Sequence, residues 1–228
     1  MKKPAVDYRE FRLSRLNEPR FRHVWLLAGW IFYFALYFLT ENLIPAERCH
    51  VIHCALDDAI PFHEGFAVLY CYWYALLAGS LAWFFFYDIR GFKRLQVYII
   101  ITQVVAMTAY ILWPSIQNLR PDHFDRDNAL TRLMAFIYSF DTPTGVCPSL
   151  HVAYSMGIAS VWCRTKGVSP VWKAGAVLSA VLISISTAFV KQHSVVDIAA
   201  AIPVGLLAEY LVFGPTRLRR WIERSGRE

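Results

Sequence analysis

The chain has 228 residues, of which 57% are hydrophobic and 16% aromatic, and its mean hydropathy is +0.37. This composition is too apolar for an ordinary soluble domain of this length. The formal net charge of +6 concerns membrane orientation and anionic lipid, because no interleaved basic and aromatic pattern indicates nucleic-acid recognition. The sequence therefore predicts one membrane-embedded domain over residues 1–228, with no nucleic-acid partner.

Apolar runs long enough to cross a bilayer recur along the chain. They predict an all-α, polytopic membrane protein with six transmembrane helices. The expected spans are Val24–Leu43, Phe66–Tyr87, Leu95–Trp113, Pro148–Cys163, Val171–Val190 and Val195–Phe213. Only a tight turn separates the last two spans. One buried hairpin that does not fully cross is the alternative for that pair, although its length favours two crossings.

The basic residues indicate the orientation of the spans. Most of the 23 Lys and Arg residues lie in four places that six spans put on the same side. Cytoplasmic loops hold the excess of Lys and Arg. We therefore expect the basic tails, residues 1–23 and 214–228, to be cytoplasmic, and the bacterial inner membrane to be the location. Residues 1–23 fit either an interfacial amphipathic helix or a solvated tail.

The first outer connection holds Cys49 and Cys54, with His50 and His53 between them. This spacing does not match the paired short spacings of structural zinc sites, so we expect no metal there. An oxidising outer compartment favours a disulfide between the two cysteines, and the sequence leaves that pairing open.

A long outer segment covers residues 115–147. Within it Asn128 is a good N-cap, and apolar residues recur at helical spacing up to Phe140. We expect a helix over Asn128–Phe140 that lies at the outer interface, as a wall or lid of a lipid-binding cleft.

Two short stretches place ionisable residues at the edges of apolar segments. Pro148-Ser149-Leu150-His151 opens the fourth span, and Pro is favoured at the first position of a helix. Backbone N–H groups at a helix start lack partners within the helix and attract anions, phosphate above all. His193 and Asp197 are four residues apart, so on a helix they share a face and the carboxylate can orient the imidazole.

An ordinary helix start and a surface pair are the simpler interpretations of these stretches. Their position argues against both, because an ionisable residue beside an apolar span is costly. We therefore interpret the set as a phosphoryl-transfer site. Arg120 and Lys191, which are basic residues on the expected outer face, could converge with His151 and His193 on one anion. Ion pairing with the many acids of that face is the alternative.

These residues carry a resemblance to a known superfamily. Gly145–His151 and Ser186–Asp197 resemble the second and third signatures of the type 2 phosphatidic acid phosphatase superfamily. Arg120-Pro121 is similar to the end of its first signature. The membrane members of that superfamily have six spans, which agrees with the apolar runs.

Two positions depart from the signatures. Trp113 stands where the Lys of the first signature belongs, and Thr187 stands where an Arg usually follows the Ser of the third. Both departures remove a phosphate-binding cation. Together with Asp57–Phe62, they resemble the inositol phosphorylceramide synthase branch, whose members transfer a phosphorylated head group between lipids.

The resemblance implies a role for each residue of the site. His193 would be the nucleophile that forms a phosphohistidine, and Asp197 would hold the other nitrogen of its ring. His151 would protonate the leaving lipid oxygen and then activate water or an alcohol.

The resemblance also implies that Arg120, Ser149 and Lys191 hold the non-bridging phosphate oxygens, where charge and positioning supply most of the catalysis. No metal or other cofactor is expected.

We therefore expect a lipid phosphate phosphatase at the outer face, with a lipid phosphate and the bilayer as its partners. The alternative is a head-group phosphotransferase at the same site. The missing cations favour its less charged substrate, whereas hydrolysis needs no second lipid site. A non-catalytic lipid-binding protein is the remote alternative, because His151, His193 and Asp197 are all present.

Overall fold

The computed structural model describes residues 3–224, and α-helices dominate it, as the all-α prediction requires. Within these residues five helical segments are long and apolar enough to cross a membrane, which gives the chain the build of a multi-pass membrane protein. The helices are α1 (Ala28–Leu43), α2 (Ala55–Ala59), α3 (Ala67–Tyr87), α4 (Ile89–Leu112), α5 (Ala129–Phe140), α6 (Leu150–Arg164), α7 (Pro170–Phe189), α8 (Val195–Phe213) and α9 (Arg217–Arg224).

The segment predicted as the fourth span is α6, the shortest of the six. Its 15 residues extend about 22 Å, which is less than the hydrocarbon thickness of a typical bilayer. It is nevertheless the most enclosed helix, packed against α3, α4, α7 and α8. Ile158 at its centre is fully buried. The other five spans correspond to Arg22–Leu43, Glu64–Tyr87, Ile89–Leu112, Pro170–Phe189 and Val195–Phe213.

The start of α4 differs from the prediction. The helix begins at Ile89, ahead of Leu95, because the Asp88 carboxylate accepts the Gly91 N–H at 3.0 Å and caps it. The basic residues assigned to the preceding connection therefore lie within the first turns of this helix. They are Arg90, Lys93 and Arg94.

The two tails also take definite structure within the described residues. The N-terminal segment forms short 3-10 turns rather than a continuous amphipathic helix, and Tyr8 ties it to α3 through the Phe85 carbonyl at 2.9 Å. The C-terminal segment forms α9, whose Ile222 is fully buried. Lys2 and Arg227, which belong to the predicted basic tails, lie outside the described residues.

A two-stranded parallel sheet joins the connection between α1 and α2 to the connection between α4 and α5. Its strands, β1 (His50–Val51) and β2 (Ser115–Ile116), pair His50 with Ser115. This pairing brings α2 beside the turn that links α7 to α8. Cys49 and Cys54, on either side of β1, are both free thiols.

The helix predicted over Asn128–Phe140 is present as α5, which begins at Ala129 with Asn128 as its cap. The Asn128 side chain accepts the N–H groups of Leu130 and Thr131 at 2.8 and 3.1 Å, which makes it the N-cap. Met134 and Ile137 face inward and are buried. Its place at the membrane interface stays a prediction.

Candidate active site

His193 lies in the turn between α7 and α8, next to the cap of α8. Ser194 is that cap, since its Oγ accepts the Val196 N–H at 3.1 Å. Asp197 is fully buried in the first turn of the helix, and its Oδ2 lies 3.3 Å from His193 Nδ1. The same oxygen accepts the Ser194 N–H at 2.9 Å. The structure thus brings His193 and Asp197 together, as their helical spacing predicts.

His151, in the first turn of α6, lies on the other side of the His193 ring. Its Nδ1 is 3.3 Å from His193 Nε2. The ring packs on Trp73 and Tyr70, with centroid separations of 4.2 and 4.8 Å. Because Asp197 occupies Nδ1 of His193, the nitrogen of His193 that faces His151 is Nε2.

The start of α6 corrects one sequence prediction. Ser149 is its N-cap and Leu150 its first residue, so Pro148 precedes the helix instead of beginning it. The Ser149 N–H, which the sequence leaves free for an anion, donates to the Asp197 carbonyl at 3.1 Å. Its Oγ accepts the Val152 N–H at 3.5 Å, and the whole residue is buried. Ser149 therefore joins α6 to α8.

Arg120 is held by oxygen acceptors of the chain itself. Its guanidinium donates to the carbonyls of Asp141 and Tyr138 at 2.5 and 3.3 Å, and to Gln192 Oε1 at 2.6 Å. It also lies over the Tyr138 ring, 4.4 Å from the centroid. Burial lowers the pKa of Arg120 below its ordinary value. Gln192 thus lies between this cation and His193.

Gln192 belongs to a series of hydrogen-bonded side chains that ends at Tyr70, against the His151 ring. Its Nε2 and the Tyr70 hydroxyl both donate to Asp141 Oδ2, each at 2.8 Å. Burial raises the pKa of Asp141 above its ordinary value. Because the Tyr70 ring packs on His151, this series connects Arg120 with the catalytic candidates.

Lys191 points away from the histidines. Its backbone is left-handed, with φ 53°, and its ammonium donates to the carbonyls of Asp57 and Ile60 at 2.7 and 2.5 Å. Burial lowers the pKa of Lys191 below its ordinary value. The structure therefore binds Lys191 to the end of α2 and does not bring it to the cavity beside His193.

Asp57 begins a stretch that carries the sequence resemblance, but no role in the site was predicted for it from the sequence. It is 2% exposed, and its carboxylate accepts the Ser194 hydroxyl at 2.6 Å and the N–H groups of Val195 and Cys54, each at 2.8 Å. Burial acts to raise the pKa of Asp57, but these hydrogen bonds outweigh it and lower the pKa. The carboxylate therefore fixes the backbone immediately after His193.

The available sequence signal for Asp57 is its position at the third residue of α2. An acid at that position commonly completes a capping box. Cys54, the N-cap here, is outside the usual Ser, Thr, Asp and Asn set, so the pattern does not stand out.

A cavity of about 350 Å³ opens beside the two histidines. Aromatic side chains from α1, α3, α4 and α6 form most of its wall, with Asp141 and Gln192 at its polar end. Among the described residues, its lining includes no Lys or Arg, and no three His, Cys, Asp or Glu side chains gather as metal ligands. The aromatic wall includes Trp30, Tyr33, Tyr37, Trp73, Tyr74 and Tyr154.

The two positions that depart from the signatures supply no cation here. Trp113 is half exposed, stacks on His50 at a centroid separation of 4.9 Å, and does not line the cavity. Thr187 is fully buried, and its carbonyl accepts the N–H groups of Gln192 and His193 at 3.0 and 3.2 Å. Thr187 therefore shapes the turn that bears His193.

Fold and site together define an all-α, multi-pass membrane protein with a His–His–Asp constellation, of which His193 and Asp197 are buried. No family model matches the chain. An uncharacterized protein of Methanocaldococcus jannaschii is 26% identical to it over 178 residues, which cover 77% of this chain and 70% of that protein. No solved structure matches the chain. The functional argument therefore rests on the geometry of the site.

Proposed function

We propose that this protein is a membrane enzyme that transfers the phosphoryl group of a lipid phosphate to water through a phosphohistidine on His193. One observation carries the proposal: Asp197, His193 and His151 contact one another in series at the polar end of an aromatic cavity. In this series His193 can act as the nucleophile, the buried Asp197 carboxylate orients it, and His151 can act as the general acid.

The first step follows from this arrangement. With its proton on Nδ1 directed to Asp197, His193 presents the lone pair of Nε2 to the phosphorus. A P–N bond forms as the P–O bond to the lipid breaks. The protonated His151 ring, whose Nδ1 faces the same space, gives its proton to the departing lipid oxygen.

The second step reverses these roles. His151, now neutral, takes a proton from water, and the water oxygen attacks the phosphorus. The P–N bond breaks, phosphate leaves, and His193 returns to its starting form. Asp197 stabilises the positive ring while the phosphoryl group is attached. The proposal includes no metal ion and no cofactor.

The proposed topology has six crossings, with α6 as the short central one and α5 as a wall at the outer interface. The enclosed position of α6 among the longer helices supports this count. Arg90 and Arg164 lie at the end of the bundle opposite to His151, where the start of α4 meets the end of α6. By the orientation rule that end faces the cytoplasm, so the site faces outward and both tails inward.

Head-group transfer to an alcohol is the second candidate function. It is favoured by the absence of Lys and Arg from the described cavity lining, and by the three oxygen acceptors that hold Arg120. A phosphodiester carries less negative charge than a phosphomonoester, so it needs less compensation from cations. The phosphohistidine step would be shared, and an acceptor hydroxyl would replace water.

The test is a phosphate-release assay on the purified protein in detergent, with a panel of lipid phosphates and diphosphates. Release from one lipid, lost in His193→Ala and kept in His123→Ala, supports the phosphatase. His123 is a suitable control because its side chain is 86% exposed and does not line the cavity. A new phospholipid, formed only when diacylglycerol or inositol is added, supports the transferase. Equal release by the wild type and His193→Ala would refute both.

A further inference from the structure

A second cleft opens at the opposite end of the helix bundle. The end of α3, the start of α4, and the ends of α6 and α8 surround about 830 Å³ there, and α9 completes the wall. Asp88 is the one acid among the described lining residues. The basic lining residues are Arg90, Arg94, Arg164, Lys166 and Arg219.

Two of these cations occupy electrostatically unfavourable positions. Arg90 and Arg94 are four residues apart on α4, and like charges at this spacing repel each other. Both are near the N-terminal end of the helix, whose partial positive charge disfavours cations. The Asp88 carboxylate, which caps the Gly91 N–H, is one acid beside two cations and offsets only part of this repulsion. An anion in the cleft would offset both the repulsion between Arg90 and Arg94 and the unfavourable interaction of each with the N-terminal end of the helix.

Acids of the chain neutralise only part of the charge. Glu223 pairs with both Arg94 and Arg219, at 3.5 and 2.9 Å. Glu209 pairs with Arg164 at 2.5 Å. Within residues 3–224, Arg90 and Lys166 form no ion pair, and both are exposed. The cleft therefore keeps a surplus of positive charge.

An apolar ring gives the cleft a second kind of surface. Phe213, the last residue of α8, lies 4.4 Å from the Arg164 guanidinium and 5.6 Å from that of Arg94, measured to the ring centroid. Such cation–π contacts hold the guanidiniums in place. Because Tyr87, Ile89 and Phe213 are at the ends of membrane-spanning segments, the cleft lies at the level of lipid head groups.

We propose that this cleft binds the phosphate-bearing head group of an anionic membrane lipid. Guanidinium groups match the geometry of phosphate oxygens, and basic residues at a membrane surface attract anionic lipids. Orientation of the spans alone requires basic residues somewhere on this side. It does not require them to converge on one cleft from three helices and a loop. The site is separate from the proposed chemistry and does not depend on it.

The experiment is native mass spectrometry of the purified full-length protein, which counts bound phosphatidylglycerol against phosphatidylcholine. The variant is Arg90→Gln/Lys166→Gln, and the matched control is Arg217→Gln/Arg220→Gln, with the same charge change at exposed positions outside the cleft lining. We expect phosphatidylglycerol affinity to fall about 30-fold in the variant, since each basic residue contributes a factor of about 5. The control should stay within about 2-fold of the wild type.

Three further measurements keep the result decisive. Thermal unfolding shows whether each variant folds. The single variant Lys166→Gln, at a position outside any helix, should lower the affinity for phosphatidylglycerol about 5-fold. An equal loss in the variant and the control would overturn the proposal, because general surface charge would then explain the binding. In a separate titration, binding of inorganic phosphate that needs Arg90 and Lys166, without retained phosphatidylglycerol, would overturn the assignment to a lipid.

Discussion

The two ends of the helix bundle use charged residues in opposite ways. One end holds His193, and each charged residue around it is bound by neighbours in the chain. These residues are Asp57, Asp197, Lys191 and Arg120. At the other end, the lining of the cleft carries more cations than acids. The first arrangement fixes a shape, whereas the second leaves a charge for a ligand.

The role of a basic residue in this protein therefore follows from the groups that it contacts and cannot be inferred from its position in the sequence alone. Lys191 is two residues from the nucleophile candidate, yet its ammonium binds the end of α2. Arg90, in the first turn of α4, lines the cleft and forms no ion pair within residues 3–224. Substitution of Asp57, at the end that holds His193, should therefore act through geometry, and substitution of the basic residues that line the cleft should act through charge.

The largest effect should come from His193→Ala. The variant removes the proposed nucleophile, so kcat for the lipid phosphate should fall at least ~10⁴-fold. The thermal unfolding midpoint should change little by comparison. Activity within a few-fold of the wild type would contradict the proposal that His193 is the nucleophile.

A smaller loss is expected for Asp197→Asn. The amide can hold the imidazole but does not enforce the proton on Nδ1 or stabilise the positive ring, so kcat should fall about 10³-fold. The Michaelis constant should change much less, since Asp197 is buried behind His193 and away from the cavity. An effect confined to the Michaelis constant would point to a role in substrate binding instead.

Asp57→Asn tests whether a residue that does not touch substrate positions the nucleophile. The amide loses charge-assisted hydrogen bonds to Ser194 and Val195, which should lower the free energy of unfolding by ~2 kcal/mol and kcat by roughly 10-fold. Asp58→Asn is the matched control, because Asp58 is 71% exposed and paired only with His53 among the described residues. A comparable loss of stability and kcat in Asp58→Asn would contradict the role of Asp57 in positioning His193.

The lowered pKa of Asp57 also sets a pH dependence. Because its pKa is lower in the folded chain than in the unfolded chain, the stabilisation is present above the unfolded value of about 3.9. It is lost as the pH falls through the folded value. The stability difference between the wild type and Asp57→Asn should therefore be full at neutral pH and shrink below about pH 4. Unfolding curves at both ends of this range measure it.

The smallest effect is expected for Trp113→Lys, which introduces the lysine of the first signature that the sequence resembles. The side chain at this position is half exposed and does not line the cavity, so phosphate release should change by less than about 2-fold. A large gain would show that the outer connections rearrange to admit this lysine to the site.

Local patterns predicted the parts of the molecule that local geometry determines. Helical spacing is enough to place His193 against Asp197, and the Asn128 cap follows from hydrogen bonds within a few residues. Apolar runs located the long helices for the same reason. The boundary of α4 was wrong because one capping contact, from Asp88, extended the helix into a charged stretch.

Contacts between distant segments could not be predicted in this way. Asp57 reaches Ser194 and Val195 across more than half of the chain, and the Ser149 N–H meets the Asp197 carbonyl only because two helix starts adjoin. The direction of Lys191 likewise depends on where α2 ends. Such partners arise from tertiary packing, about which neither periodicity nor spacing carries information.

The most direct test of the account is to trap the phosphorylated intermediate. His151→Gln should be mixed with a radiolabelled aryl phosphate ester, whose leaving group needs no general acid, so that the intermediate forms but breaks down slowly. We expect acid-labile label on His193, located by peptide mass spectrometry, and no label in His193→Ala. Label on another residue, or equal labelling of both variants, would contradict it.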